Sequence, residues 1–238
     1  MLKNSLFRPD GYDPDFIKNI SLFSGLAEEE KDALLKGGQA YSFQKGKSLF
    51  RQGDALRNFY VICSGIVQVS RVTPDGREVT LDILIAGDMT CVKEIFELSD
   101  AHMVNATAVS DTVVMSFPRA WLLEAAQKNS VFALNLLSAI SRLARMIEID
   151  AEHQATMSAP QLLACFLMHL CIRYNFDPRG FDLPLRKSLI ASRLGMELET
   201  LSRAVPVLRK YGITVKGKHV SFHDFPVVRP YPDLGMLQ

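Results

Sequence analysis

Five glycines, Gly46, Gly53, Gly65, Gly76 and Gly87, punctuate the first half of the chain at intervals of 7, 12, 11 and 11 residues. The runs between and after them, at 48–51, 59–63, 66–72, 79–85, 104–109 and 112–117, are rich in β-branched and aromatic residues. Short strands broken by turns this often cannot form a parallel sheet with helical crossovers; they fold back on themselves as an antiparallel barrel or jelly roll. Pro74-Asp75-Gly76 is one such turn, with proline fixing φ and glycine accepting the positive φ beyond it. The roll is placed at about 38–118. An irregular arm over 1–15 precedes it, followed by a short helix at 28–36 that Gly37-Gly38 stops.

From Arg119 the period becomes helical. Leu136, Ile140, Leu143 and Ile147 recur at 4-3-4 spacing, one stripe of a long helix flanked by Arg142, Arg145, Glu148 and Asp150. That stripe suits either packing on the chain's own barrel or a seam with a second copy. Pro160 disfavours helical geometry in the residue before it and sets a boundary. The expected organisation is an arm plus β-roll over 1–118, a long helix over 119–158 and a helical C-terminal domain over 159–238.

Charge separates the ends of the chain. The whole sequence has a formal net charge of +1, but its last 55 residues hold nine Lys/Arg against four Asp/Glu. A basic end on an acidic body points to a polyanionic partner for that end. No unbroken apolar run approaches 18 residues, so no membrane span is expected, and Met1-Leu2-Lys3-Asn4-Ser5 lacks the apolar core of a secretory signal. The four cysteines, Cys63, Cys91, Cys165 and Cys171, form no C-x-x-C pair. Reduced thiols and a cytoplasmic location are the expectation.

Residues 186–223 carry the functional signal. A short helix over 186–194 is followed by the turn Gly195-Met196 and a second helix from Glu197 toward Tyr211-Gly212. Ala191, Gly195 and Leu201 supply what a helix-turn-helix needs: close helix approach, a left-handed turn residue and a core anchor. Beyond it, 213–215 and 220–222 read as a two-stranded wing carrying Lys216 and Lys218. Glu199, Ser202 and Arg203 share one face near the start of the second helix, where recognition helices meet base edges. Arginine can bond both guanine acceptors and glutamate can accept from cytosine. The same spacing also suits an ordinary solvent face with a Glu–Arg pair four apart. Lys187, Thr200, Arg209, Lys210, Lys216 and Lys218 are the expected phosphate contacts.

This order of roll, long helix and winged helix resembles the Crp–Fnr family of bacterial transcription regulators. The resemblance runs from about Leu22 to Asp224. It rests on Lys45-Gly46, Phe50-Arg51-Gln52-Gly53-Asp54, Gly65, Gly87-Asp88 and, most specifically, Glu199-Thr200-Leu201-Ser202-Arg203. It implies an α+β fold: an N-terminal β jelly roll of the cyclic-nucleotide-binding type, a long dimerisation helix and a C-terminal winged helix-turn-helix. It further implies a homodimer that reads a palindromic operator in double-stranded DNA, with half-sites about 34 Å apart, and acts on RNA polymerase. The seam would be Leu136, Ile140, Leu143 and Ile147. The Glu-x-x-Ser-Arg form, with Leu198 where the cyclic-AMP receptor branch has arginine, resembles the Fnr branch and its TTGAT-type half-site.

The effector is less legible. Cyclic-AMP binders of the family carry an Arg-Ser pair and a glutamate in the loop that is here 90–102. This loop has no arginine, Asp100-Ala101 stand where the pair should be, and Val92 stands where the glutamate should be. A cyclic phosphate needs a cation, so cyclic AMP is not expected. No cysteine precedes Cys63, which argues against an Fnr-type iron–sulfur cluster. Haem sensing nitric oxide or carbon monoxide, as the resemblance to dissimilatory-nitrate-respiration regulators suggests, would use His102 or His153. A thiol switch would use Cys91 beside Lys93. No metal spacing, phosphate loop or G-x-S-x-G motif marks an enzyme. The rival to a DNA-binding regulator is a ligand-binding roll that controls a protein partner, with the winged helix as its docking module.

Overall fold

The computed structural model describes residues 13–90, 92–96 and 100–223. The N-terminal arm lies outside them up to residue 12. The chain separates into two compact units, 1–146 and 147–238, so the division falls inside the long helix.

In the first unit, helices α1 (Pro14–Lys18) and α2 (Glu28–Leu35) precede the β-roll. Its strands are β1 (Gln39–Phe43), β2 (Ser48–Phe50), β3 (Asn58–Ser64), β4 (Val67–Val72), β5 (Glu78–Leu84), β6 (Asn105–Ala108) and β7 (Thr112–Pro118). They form two antiparallel sheets in the orders β1-β7-β3 and β2-β6-β4-β5. The six expected strands are all present. Strand β1 was not read, because Gln39-Ala40-Tyr41-Ser42-Phe43 is short and lies before the first punctuating glycine. All five of those glycines adopt positive φ. At Gly65 close approach adds a second demand, since a Cβ there would lie 2.4 Å from the Asp111 carbonyl oxygen.

The roll's core is aromatic. Phe59 stacks on Phe117 with centroids 5.2 Å apart, and Phe117 on Trp121 at 4.6 Å. Gly37-Gly38 do more than stop α2: a Cβ on Gly37 would sit 1.9 Å from Trp121 Nε1, and one on Gly38 2.5 Å from the Phe117 ring. The pair lets backbone lie against this stack.

The region expected as one helix over 119–158 is two helices, α3 (Arg119–Lys128) and α4 (Ser130–Thr156). Asn129 separates them with extended φ and ψ of −131° and 109°, and its Oδ1 accepts from the Phe132 backbone N–H at 3.0 Å, capping α4. One face of α4 turns inward: Phe132 and Leu136 are buried in the cluster of Phe23, Leu122 and Phe117. Leu136, expected on the seam, is only 2% exposed and belongs to its own chain's core. The exposed apolar residues of α4 are Val131, Leu134, Leu137 and Ile147, with Ile140 and Leu143 half-buried. By length and composition alone α4 is apolar enough to cross a membrane.

In the second unit the end of α4 is followed by α5 (Ala159–Arg173), β8 (Phe181–Asp182), α6 (Lys187–Arg193), α7 (Leu198–Val207), a 3-10 turn over Leu208–Tyr211, β9 (Ile213–Lys216) and β10 (His219–Phe222). Ser158 caps α5 through its backbone N–H, which donates to Gln161 Oε1 at 2.9 Å. The wing is a three-stranded sheet in the order β8-β10-β9, one strand more than expected. Strand β8 is two residues long, too short for any period-two signal.

Candidate nucleic-acid interface and sensor loop

Helices α6 and α7 meet as the sequence demands. Ala191 and Leu201 are buried, and Gly195 takes φ of +63°. The turn is closed by the Met196 N–H donating to the Ala191 carbonyl at 3.0 Å. The first helix is anchored to the end of α4 twice: Arg193 pairs with Asp150, and Gln154 Nε2 donates to the Leu194 carbonyl at 3.0 Å.

Glu197 is the N-cap of α7 and makes no side-chain cap bond, as its residue type suggests. Leu201, Ala204 and Leu208 are buried beneath the helix, which leaves Leu198, Glu199, Ser202 and Arg203 exposed on the opposite side. Arg203 Nη2 and Glu199 Oε1 are 3.9 Å apart, with side chains 69% and 80% exposed. A pair this loose and solvated contributes little to stability, so both groups are free to engage another partner. Ser202 Oγ donates to the Leu198 carbonyl at 2.9 Å. Pro206, inside α7, has no N–H to give to the Ser202 carbonyl, and the helix tightens into the 3-10 turn just beyond it.

The expected phosphate contacts surround this helix. Lys187 is at the start of α6, Arg209 and Lys210 follow α7, and Lys216 and Lys218 flank Gly217 at the wing tip, all exposed. None of these five cations has an ion-pair partner among the described residues. Thr200 is half-buried on α7. A surface that leaves this many cations unpaired suits a polyanion.

The sensor loop is described in part. Cys91 lies outside the described residues. Val92 is buried. Asp100 is exposed and pairs with Arg119 Nη1 at 3.1 Å, while Ala101 bridges Ala55. Glu94, which sequence reasoning passed over, is 1% exposed, and neither of its carboxylate oxygens has a hydrogen-bond partner. An acidic side chain buried in this loop adds to the case against a cyclic phosphate. His102 is 3% exposed, and its ring stacks on Phe50 at 3.7 Å. Burial holds its pKa below the ordinary histidine value, with Asp54 opposing. A haem would have to break that stack to reach the ring, so His102 as packed does not fit an axial ligand. His153 lies in the last turn of α4, half-buried. Burial pushes the Cys63 thiol up to about 12 and raises Cys165 and Cys171, which keeps all three protonated and unreactive.

A sensor-type β-roll joined through a long helix to a winged helix-turn-helix defines a class: transcription regulators that couple a sensing domain to DNA. The family pattern for a cyclic nucleotide-binding domain matches residues 41–129, and that for a Crp-like helix-turn-helix domain matches residues 161–229. The fumarate and nitrate reduction regulatory protein of Vibrio cholerae is 30% identical over 187 residues, 75% of this chain and 72% of its own length. The cyclic AMP receptor protein of Thermus thermophilus is 28% identical over 201 residues, 84% of this chain and 91% of its own. The fold is that of FixK2 from Bradyrhizobium japonicum, with a TM-score of 0.69 and 23% identity over 79% of this chain and 93% of that one. The chain belongs to the Crp–Fnr family and is a DNA-binding transcription regulator, not an enzyme.

Proposed function

We propose that the protein is a homodimer that reads a palindromic TTGAT-type operator in the bacterial cytoplasm and acts there on RNA polymerase. One observation carries the reading: Glu199, Ser202 and Arg203 stand exposed on the face of α7 opposite Leu201, Ala204 and Leu208, ringed by unpaired cations. Arg203 reads a guanine through O6 and N7, Glu199 accepts from the paired cytosine N4, and Ser202 serves the neighbouring thymines. Leu198, 49% exposed at the first position of α7, offers an apolar surface to a thymine methyl. Lys187, Thr200, Arg209, Lys210, Lys216 and Lys218 hold the backbone and fix the register without reading sequence.

The dimer forms along α4. Its seam is Leu134, Leu137, Ile140 and Ile147, rotated from the 4-3-4 stripe because Leu136 is taken by the core of its own chain. An apolar face of this kind on a DNA-binding regulator is covered by a second copy rather than by lipid, and two-fold symmetry then matches the palindrome. The signal reaches DNA through the roll. A redox or gas signal fits its loop better than cyclic AMP does, because the loop offers Glu94 and Asp100 and no arginine.

The test is binding of the full chain to a TTGAT-type palindrome and to a scrambled duplex at one salt concentration, in air and without oxygen, with and without haem and nitric oxide. Preference for the palindrome supports the base assignment, and the condition that switches it on identifies the signal. Equal, salt-sensitive binding to both duplexes refutes the base code. Failure to bind either duplex favours a protein partner for the winged helix.

A further inference from the structure

The wing sheet has two faces of opposite character. Ile213, Val220 and Phe222 point inward and are buried. The other face carries Thr214, Lys216, His219, Ser221 and His223, and the antiparallel register sets Lys216 opposite His219 and Thr214 opposite Ser221. With Arg209 from the 3-10 turn, these side chains line a cavity of about 350 Å³. Its size is that of a small-ligand site.

The lining narrows what the cavity can hold. It has no apolar side chain, which excludes a greasy ligand. Arg209 and Lys216 repel a divalent cation, and no carboxylate lines it to oppose them. The nearest acid, Asp182 on β8, is held at the rim with its Oδ1 3.0 Å from His219 Nδ1. The Thr214 hydroxyl and His223 Nε2 lie 2.8 Å apart, so they orient one another, and Ser221 stands beside them. Two cations over a floor of hydroxyl and imidazole groups suit a compact anion with several acceptor oxygens.

We propose that this cavity binds a phosphate group, with Arg209 and Lys216 supplying the charge and Thr214, Ser221 and His223 the hydrogen bonds. The inference shares Arg209 and Lys216 with the backbone contacts proposed above and rests on that reading in those two side chains alone. The phosphate has two available sources, the backbone of a bound duplex or a free phosphorylated molecule.

Nuclear magnetic resonance of the histidine side chains in the full chain tests the site. Sodium phosphate is titrated at constant ionic strength against sodium chloride, with His219 and His223 assigned from His→Gln variants. Phosphate is expected to shift both resonances saturably and to leave His169 unmoved. Arg209→Ala should weaken the response about ten-fold or more, the loss of one charge-assisted contact, and Ser221→Ala should weaken it by a smaller factor. A duplex that displaces phosphate identifies the backbone as the natural occupant. A duplex-bound protein that still takes up phosphate identifies a free phosphorylated molecule. The absence of a saturable shift in the wild type overturns the proposal, and so does a shift unchanged in both variants. Guanine preference on the same samples reports on Glu199 and Arg203 independently, so failure of the cavity and failure of the base code remain distinct.

Discussion

Leu136 and Leu137 are neighbours in sequence and opposites in structure, and truncating each to alanine separates folding from assembly. Leu136 is 2% exposed and packs with Phe132 and Leu122, whereas Leu137 is 59% exposed in the single chain. Burying a whole leucine side chain is worth about 1.5–3 kcal/mol. If the dimer covers the exposed part of Leu137, each copy contributes roughly three-fifths of that, and symmetry counts it twice. Leu137→Ala should therefore cost the dimer about 2–4 kcal/mol, roughly a 20- to 400-fold rise in its dissociation constant. It should leave the unfolding of the monomer nearly untouched. Leu136→Ala should do the reverse: it opens a cavity in the core and destabilises the first unit by about 2–5 kcal/mol. Sedimentation equilibrium measures the first quantity, and urea unfolding followed by Trp121 fluorescence measures the second. Trp121 suits this because it stacks on Phe117 in the same core. A dimer that survives Leu137→Ala unchanged but dissociates with Leu136→Ala would refute the rotated seam.

Arg203→Ala should lose about 1–3 kcal/mol at the guanine of the half-site and little elsewhere; a wild type that binds a guanine-substituted site equally well would remove the assignment. Lys216→Ala and Lys218→Ala should each weaken binding to every duplex and lower the slope of log affinity against log salt by about 0.9, so an unchanged slope would mean that the wing tip misses the backbone. His169 is held down to about 4, first by burial and then by Arg173, with Arg193 adding to the effect and Asp150 opposing it. The unfolded chain thus takes up a proton below about 6.5 that the folded chain refuses until about 4. Stability of the second unit should fall as pH drops through that window, by about 3 kcal/mol at full extent. A His169 imidazole resonance titrating near 6.5 would contradict this.

What the sequence made legible depended on how local the physics was. The punctuating glycines were readable because a positive φ is a property of one residue, and each adopts it. The helix-turn-helix was readable because Ala191, Gly195 and Leu201 answer a geometric demand spanning only ten residues. The break at Asn129 was not: Asn caps helices well, but nothing nearby forces a turn, and the cap forms where α4 must turn Phe132 into the roll. Gly37-Gly38 were read as a helix stop, and their second role against Trp121 and Phe117 depends on residues about eighty positions away.

The seam shows most clearly where pattern reading ends. Leu136, Ile140, Leu143 and Ile147 satisfy a 4-3-4 period, yet Leu134, Leu137, Ile140 and Ile147 are the more exposed set. A helix with apolar residues on more than one side has two customers for them, its own core and its partner, and periodicity does not say which takes which. Here the core chooses first, because Phe132 fixes the rotation of α4: it is fully buried and stacks on Phe23 at 6.0 Å. Leu136, one turn along, must follow it inward, and the stripe one residue on is left for assembly. The residues that join two copies are thus decided by an aromatic contact within each copy. Changing Phe132 should rotate the seam as well as weaken the fold.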